Sequence, residues 1–150
     1  LLAFKAAQVA TYYRRALLVV ESNTLETDGE ADDGTYLLER LRRVYRHLYM
    51  RRSGEGRPRP GFQTNRRTKR HLVYTLIGAV RDHAYVERDH GAVDEMATYE
   101  ATSRGGFEAM AGHHDDILIT RGIALSVLQE LPPPAPPITD TDMQYLTNYS

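Results

Sequence analysis

Five consecutive apolar residues, Ala16-Leu17-Leu18-Val19-Val20, stand between two stretches of helical periodicity and end on an acid, Glu21. A run this short and this rich in branched side chains is too brief for a core helix and fits a strand covered on both faces. Helical stretches alternating with short apolar runs of this kind predict an α/β domain. With 150 residues the chain is long enough for one ordinary core and too short for two.

The flanking pattern agrees. Residues 1–15 read as a helix, with Leu2, Ala6, Val9 and Tyr13 on one stripe and Ala3, Ala7 and Ala10 beside it. Residues 22–34 are polar and read as an exposed loop. A second helix is predicted over 35–48, where Leu37, Leu41, Val44 and Leu48 recur at helical spacing with Leu38 and Tyr45 adjoining. Residues 49–52, a Gly- and Pro-rich turn over 54–60, and residues 61–63 read as a hairpin. Thr64 or Asn65 caps a third helix whose buried stripe is Leu72, Leu76 and Val80 with Val73 and Ile77. Tyr85-Val86-Glu87 reads as a short edge strand, and 92–102 as a helix carrying Val93, Met96, Ala97 and Glu100, broken by Ser103-Arg104-Gly105-Gly106. A last helix over 115–131 stops at Pro132-Pro133-Pro134. The domain is therefore expected over 1–131, followed by a Pro-rich tail over 132–150.

Charge is segregated along this framework. The overall formal charge is −1, yet residues 40–81 hold thirteen Lys or Arg against one acid, Glu55, a local charge of +12, which leaves −13 on the remainder. Seventeen of the nineteen cations are Arg, whose planar fork matches a phosphate bidentately. A basic stretch of that kind suits a polyanion. Arg66, Arg67, Lys69 and Arg70 crowd the first turns of the third helix, where cations oppose the helix dipole, so helix stability does not account for them. With Arg51, Arg52, Arg57 and Arg59 on the hairpin, they are the candidate nucleic-acid contacts, tracking phosphates without reading bases.

Acids gather at two other places. Glu21 closes the first strand, and in open α/β sheets ligands bind at the carboxyl ends of strands. His113-His114-Asp115-Asp116 stands at the start of the last helix, where one acid suffices as an N-cap and two adjacent acids with two histidines exceed that need. Hard divalent cations take carboxylate oxygens and keep several waters. Glu21, Asp115 and Asp116 are thus the candidate ligands for Mg²⁺ or Mn²⁺, and in a two-metal scheme such ions activate water and stabilise the leaving oxygen of a phosphodiester. His114 is a candidate ligand or proton carrier.

The same chain excludes several classes. It has no cysteine, hence no disulfide framework, thiolate zinc site or cysteine nucleophile, and this is compatible with a reducing cytosol. No apolar run is long enough to span a membrane and the N-terminus lacks a secretory pattern, so a soluble protein without a membrane partner is expected. No Walker A pattern occurs, so ATP hydrolysis is not expected.

Three segments resemble the C-terminal nuclease domain of the large terminase subunit of tailed bacteriophages. Leu17-Leu18-Val19-Val20-Glu21-Ser22-Asn23 is similar to that family's buried strand ending in a catalytic Glu. Gly61-Phe62-Gln63-Thr64-Asn65, with Thr68 and Lys69, is similar to its strand-to-helix segment, and residues 112–117 to its Gly-x-His-Asp-Asp motif. The resemblance implies a ribonuclease H-like mixed sheet flanked by helices, and a metal-dependent endonuclease with Glu21, Asp115 and Asp116 as its carboxylates. It also implies double-stranded DNA as substrate, cut from concatemers during packaging in the host bacterium's cytoplasm. The implied partners are a terminase ATPase domain, a small terminase subunit and a portal. The family's first catalytic Asp lies on a β-meander preceding the first helix, and this sequence starts at that helix: either the chain is an N-terminally truncated piece or the third carboxylate is absent, and such a piece is expected to bind metal poorly and cut little or nothing alone.

Two alternatives use the same residues. A non-catalytic DNA-binding or assembly module needs only the Arg-rich stretch. A helical His-Asp metal phosphohydrolase would need further histidines spaced on several helices, and His47, His71, His83 and His90 offer no such arrangement.

Overall fold

The computed structural model describes residues 1–22, 32–52 and 56–132. Among them lie five helices and two small antiparallel sheets, a mixed α/β arrangement. In chain order these are α1 (Leu2–Tyr12), α2 (Asp32–Val44), β1 (Met50–Arg51), β2 (Arg59–Pro60), α3 (Arg66–Arg81), α4 (His90–Ala97), β3 (Tyr99–Ala101), β4 (Phe107–Ala109) and α5 (Asp116–Glu130). β1 pairs with β2 in the register Met50 to Pro60, and β3 with β4 with Glu100 opposite Glu108.

The apolar run after α1 joins this framework by isolated parallel bridges, Leu18 to Leu48 and Glu21 to Phe62. Leu18 N–H donates to the His47 carbonyl at 2.9 Å and Tyr49 N–H to the Leu18 carbonyl at 3.0 Å. Farther along, Phe62 N–H donates to the Val20 carbonyl at 2.7 Å and Ser22 N–H to the Phe62 carbonyl at 2.8 Å. Side chains along an extended segment alternate faces, and here the alternation divides two cores. Leu17 and Val19 pack on a cluster built from Phe62, α3 and α5, including Leu72, Leu76, Leu118 and Ile123. Leu18 and Val20 pack on the cluster that α1 and α2 make, including Ala7, Leu41, Tyr45 and Leu48. Each face of the segment thus has its own helical cover, as the uninterrupted apolar run predicted, although residues 17–20 are only partly buried.

Several expectations change. α1 turns its alanines inward: Ala3, Ala7 and Ala10 are buried while Leu2, Val9 and Tyr13 are exposed. Both stripes have helical spacing, and Leu41 of α2 with Tyr45 just after it already supply the bulk, so small residues let the helices approach. The second helix covers Asp32–Val44 rather than 35–48, with Tyr45 and Leu48 buried just beyond it. On α3, Leu72, Val73 and Leu76 are buried, while Ile77 and Val80 are exposed. Tyr85-Val86-Glu87 is not a strand, and its backbone instead places Glu87 to receive the N–H groups of Arg88 and Asp89. The predicted helix over 92–102 ends at Ala97, and its remainder is β3, for which Ser103-Arg104-Gly105-Gly106 provides the hairpin turn. The first hairpin is present, but its return strand is Arg59–Pro60 and the tip over 53–55 lies outside the described residues, as do 23–31 of the acidic loop and 133–150 of the tail.

Candidate active site

A cleft of about 230 Å³ is lined by Glu21, Thr64, Asn65, Lys69, Asp115, Asp116 and Ile119. Its acids come from distant parts of the chain. Glu21 is delivered by the bridge to Phe62, and the adjacent Ser22, fully buried, fixes that end: its backbone N–H and its hydroxyl both donate to the Phe62 carbonyl, at 2.8 Å and 3.1 Å. Arg51 Nη1 in turn donates to Ser22 Oγ at 2.8 Å. Gly61 permits this approach, because a Cβ there would stand 2.8 Å from the Val20 carbonyl oxygen and its φ is +87°.

Lys69 arrives on the first turns of α3. That helix begins with a reciprocal cap in which Asn65 Oδ1 accepts from the N–H groups of Arg67 and Thr68, both at 3.0 Å, while Thr68 Oγ1 accepts from Asn65 N–H at 2.7 Å. The cap sets the first turn, so Lys69 faces α5, and its Nζ lies 2.6 Å from Asp115 Oδ2. Lys69 Nζ also stands 5.8 Å from the centroid of the Tyr99 ring. Burial, then the nearby Asp115 carboxylate, push the Tyr99 hydroxyl well above its ordinary range.

Asp115 occupies the N-cap position of α5 but makes no side-chain cap hydrogen bond. The Leu118 N–H in that first turn is instead taken by Glu95 Oε2 of α4, at 2.8 Å. Capping therefore does not explain the Asp115 carboxylate, which turns to Lys69. Asp116 follows it in the first turn of α5 and lines the same cleft.

The structure brings Glu21, Asp115 and Asp116 into the lining of one cleft. His114 is not in that lining; it borders a separate hollow with His113, Asp94 and Glu95. Of the basic residues, Lys69 enters the cleft, Arg51 is committed to Ser22 and the Gly61 carbonyl, and Arg52, Arg57, Arg59, Arg66, Arg67 and Arg70 are exposed. Sequence reading missed Glu95 and Tyr99. Both lay in a predicted helical stretch, and neither has a local signal for a role across α5.

Three carboxylates around one cleft supply the oxygen donors a hard divalent cation takes. Among the described residues no group of three acidic, histidine or cysteine side chains stands close enough to enclose an ion. An ion placed there would use one or two of these carboxylates and keep several waters, and Lys69 already holds Asp115. No described helix is long and apolar enough to cross a membrane. In comparisons with family models, with curated proteins and with solved structures, no family model, protein or structure matches this chain.

Proposed function

We propose that this chain is a metal-dependent DNA endonuclease domain of the kind found in viral packaging terminases. The observation that carries the reading is the convergence of Glu21, Asp115 and Asp116 on one cleft beside Lys69. Glu21 and Asp116 would hold Mg²⁺ or Mn²⁺, which when bound supplies Lewis-acid stabilisation of a phosphodiester and a more acidic water. Lys69 holds the Asp115 carboxylate in place and puts positive charge where the phosphate of a bound strand would lie. The exposed arginines of α3 and the first hairpin attract the DNA backbone without reading sequence. A terminase ATPase domain, a small subunit, a portal and a host cytoplasm belong to the same proposal.

Asp116→Ala is expected to abolish Mn²⁺-dependent nicking of supercoiled plasmid, and undiminished nicking would refute the assignment. A second reading, a DNA-binding module that does not cut, is favoured by the Lys69–Asp115 pair, which already neutralises one of the three acids. It predicts DNA binding in EDTA that is unchanged by Glu21→Gln, together with no nicking under any metal.

A further inference from the structure

Next to the carboxylate cleft lies a second one of about 260 Å³, whose lining includes Arg66, Lys69 and Arg70 of α3 and Thr102, Arg104 and Glu108 of the β3–β4 hairpin. Lys69 belongs to both linings, so the two clefts share a wall. Arg66 Nη2 donates to the Arg104 carbonyl at 2.9 Å, tying the hairpin turn to the start of α3.

The turn itself is tightly held. Thr102 N–H donates to the Gly106 carbonyl at 3.0 Å, Gly105 N–H to the Thr102 carbonyl at 3.0 Å, and Gly106 N–H to Thr102 Oγ1 at 3.0 Å. Gly105 has a φ of +73°, a conformation that an L side chain rarely adopts. Arg104 is therefore presented from a preorganised backbone. Among the described residues none of Arg66, Arg70 and Arg104 makes an ion pair, although Arg70 lies over the Tyr74 ring at 5.6 Å. Three guanidinium groups around one cleft repel one another unless an anion joins them, and a phosphate satisfies such forks with paired hydrogen bonds.

We infer that this cleft is a phosphate subsite, in which Arg104 works with Arg66 and Arg70 to hold the phosphate of a nucleic-acid strand neighbouring the one that enters the carboxylate cleft. The inference rests on the DNA reading above, and Lys69 is the physical link between the two phosphates. Glu108 is the one carboxylate in the lining, and its charge opposes an anion there. Arg104 is thus a binding residue that the run of cations over 40–81 does not contain.

The test is binding of a fluorescent DNA duplex to the whole chain in EDTA, which separates the subsite from any cutting. Arg104→Ala should weaken binding on the order of tenfold and reduce the slope of log affinity against log salt by about one. Arg104→Lys should fall between the two, Glu108→Gln should tighten binding, and Arg88→Ala, an exposed arginine outside the cleft, should leave it unchanged. Equal affinity for wild type and Arg104→Ala, or an equal loss in Arg88→Ala, would overturn the inference. So would protection of the wild type by inorganic phosphate, lost in Arg104→Ala, without any change in duplex binding, because the site would then serve a free anion. If nicking proves absent while Arg104→Ala still weakens the duplex, the cutting reading fails and the subsite stands.

Discussion

Asp115 takes the position of a helix cap and is released from that duty by a residue of another element. Glu95 satisfies the Leu118 amide, so the Asp115 carboxylate is available to Lys69. If Lys69 serves the reaction electrostatically, Lys69→Met should reduce Mn²⁺-dependent nicking on the order of a hundredfold while thermal unfolding changes little. Nicking unchanged in that variant would make the pair purely structural. A second residue-scale prediction concerns Glu87, whose carboxylate accepts from the Tyr85 hydroxyl, from the N–H groups of Asp89 and Arg88, and from Arg121 Nε at 2.9 Å. These donors, Tyr85 foremost, lower its pKa from 4.5 to about 2. A depressed acid contributes stability that is complete above its unfolded value and lost as pH falls through its folded one. Glu87→Gln should therefore unfold at lower urea than wild type near neutral pH, by about 1–2 kcal/mol, and the gap should close as pH falls from 4.5 toward about 2. A gap independent of pH would contradict the charge-based account.

At the scale of elements, two glycines set how closely backbones approach. A Cβ on Gly122 of α5 would lie 2.9 Å from Leu72 Cβ and 3.2 Å from the Leu72 carbonyl oxygen, and neither atom can swing away. Gly122→Ala should accordingly destabilise the α3–α5 packing by about 1–3 kcal/mol from overcrowding, less the roughly 1 kcal/mol that alanine gains in a helix. Denaturant midpoints measure this, and a stabilised variant would show that the helices can part without cost. Gly61 is the more consequential, since strain there also displaces Phe62, to which the end of the Glu21 segment is bonded.

The apolar run before Glu21 and the third helix were legible in the sequence because each carries its own local signature, an unbroken apolar run in the one and a capped helical period in the other. The β3–β4 hairpin was not, because Val93, Met96, Ala97 and Glu100 satisfy a helical spacing that the chain follows only to Ala97. The inward face of α1 was misread for a related reason: two stripes had the right period, and the choice between them is made by the bulk of α2. The two acidic motifs pointed to one site, whereas the partners that orient them, Lys69 toward Asp115 and Glu95 toward Leu118, depend on how α3, α4 and α5 pack.

At the scale of the whole molecule, the near-zero net charge conceals a basic stretch and an acidic remainder. DNA binding by this chain should fall steeply as salt rises, with a log–log slope of roughly −0.9 for each phosphate neutralised. Affinity insensitive to salt would remove the arginines from the interface. The central claim is that Glu21 and the Asp115–Asp116 pair form one place for a divalent cation, and amide NMR during a Mn²⁺ titration tests it most directly. A single bound ion should broaden the signals of residues 20–22 and 115–117 together at low Mn²⁺, with Glu21→Gln shifting both groups to higher concentration in parallel. Broadening confined to one of the two segments, or a Glu21→Gln effect felt at only one, would contradict it.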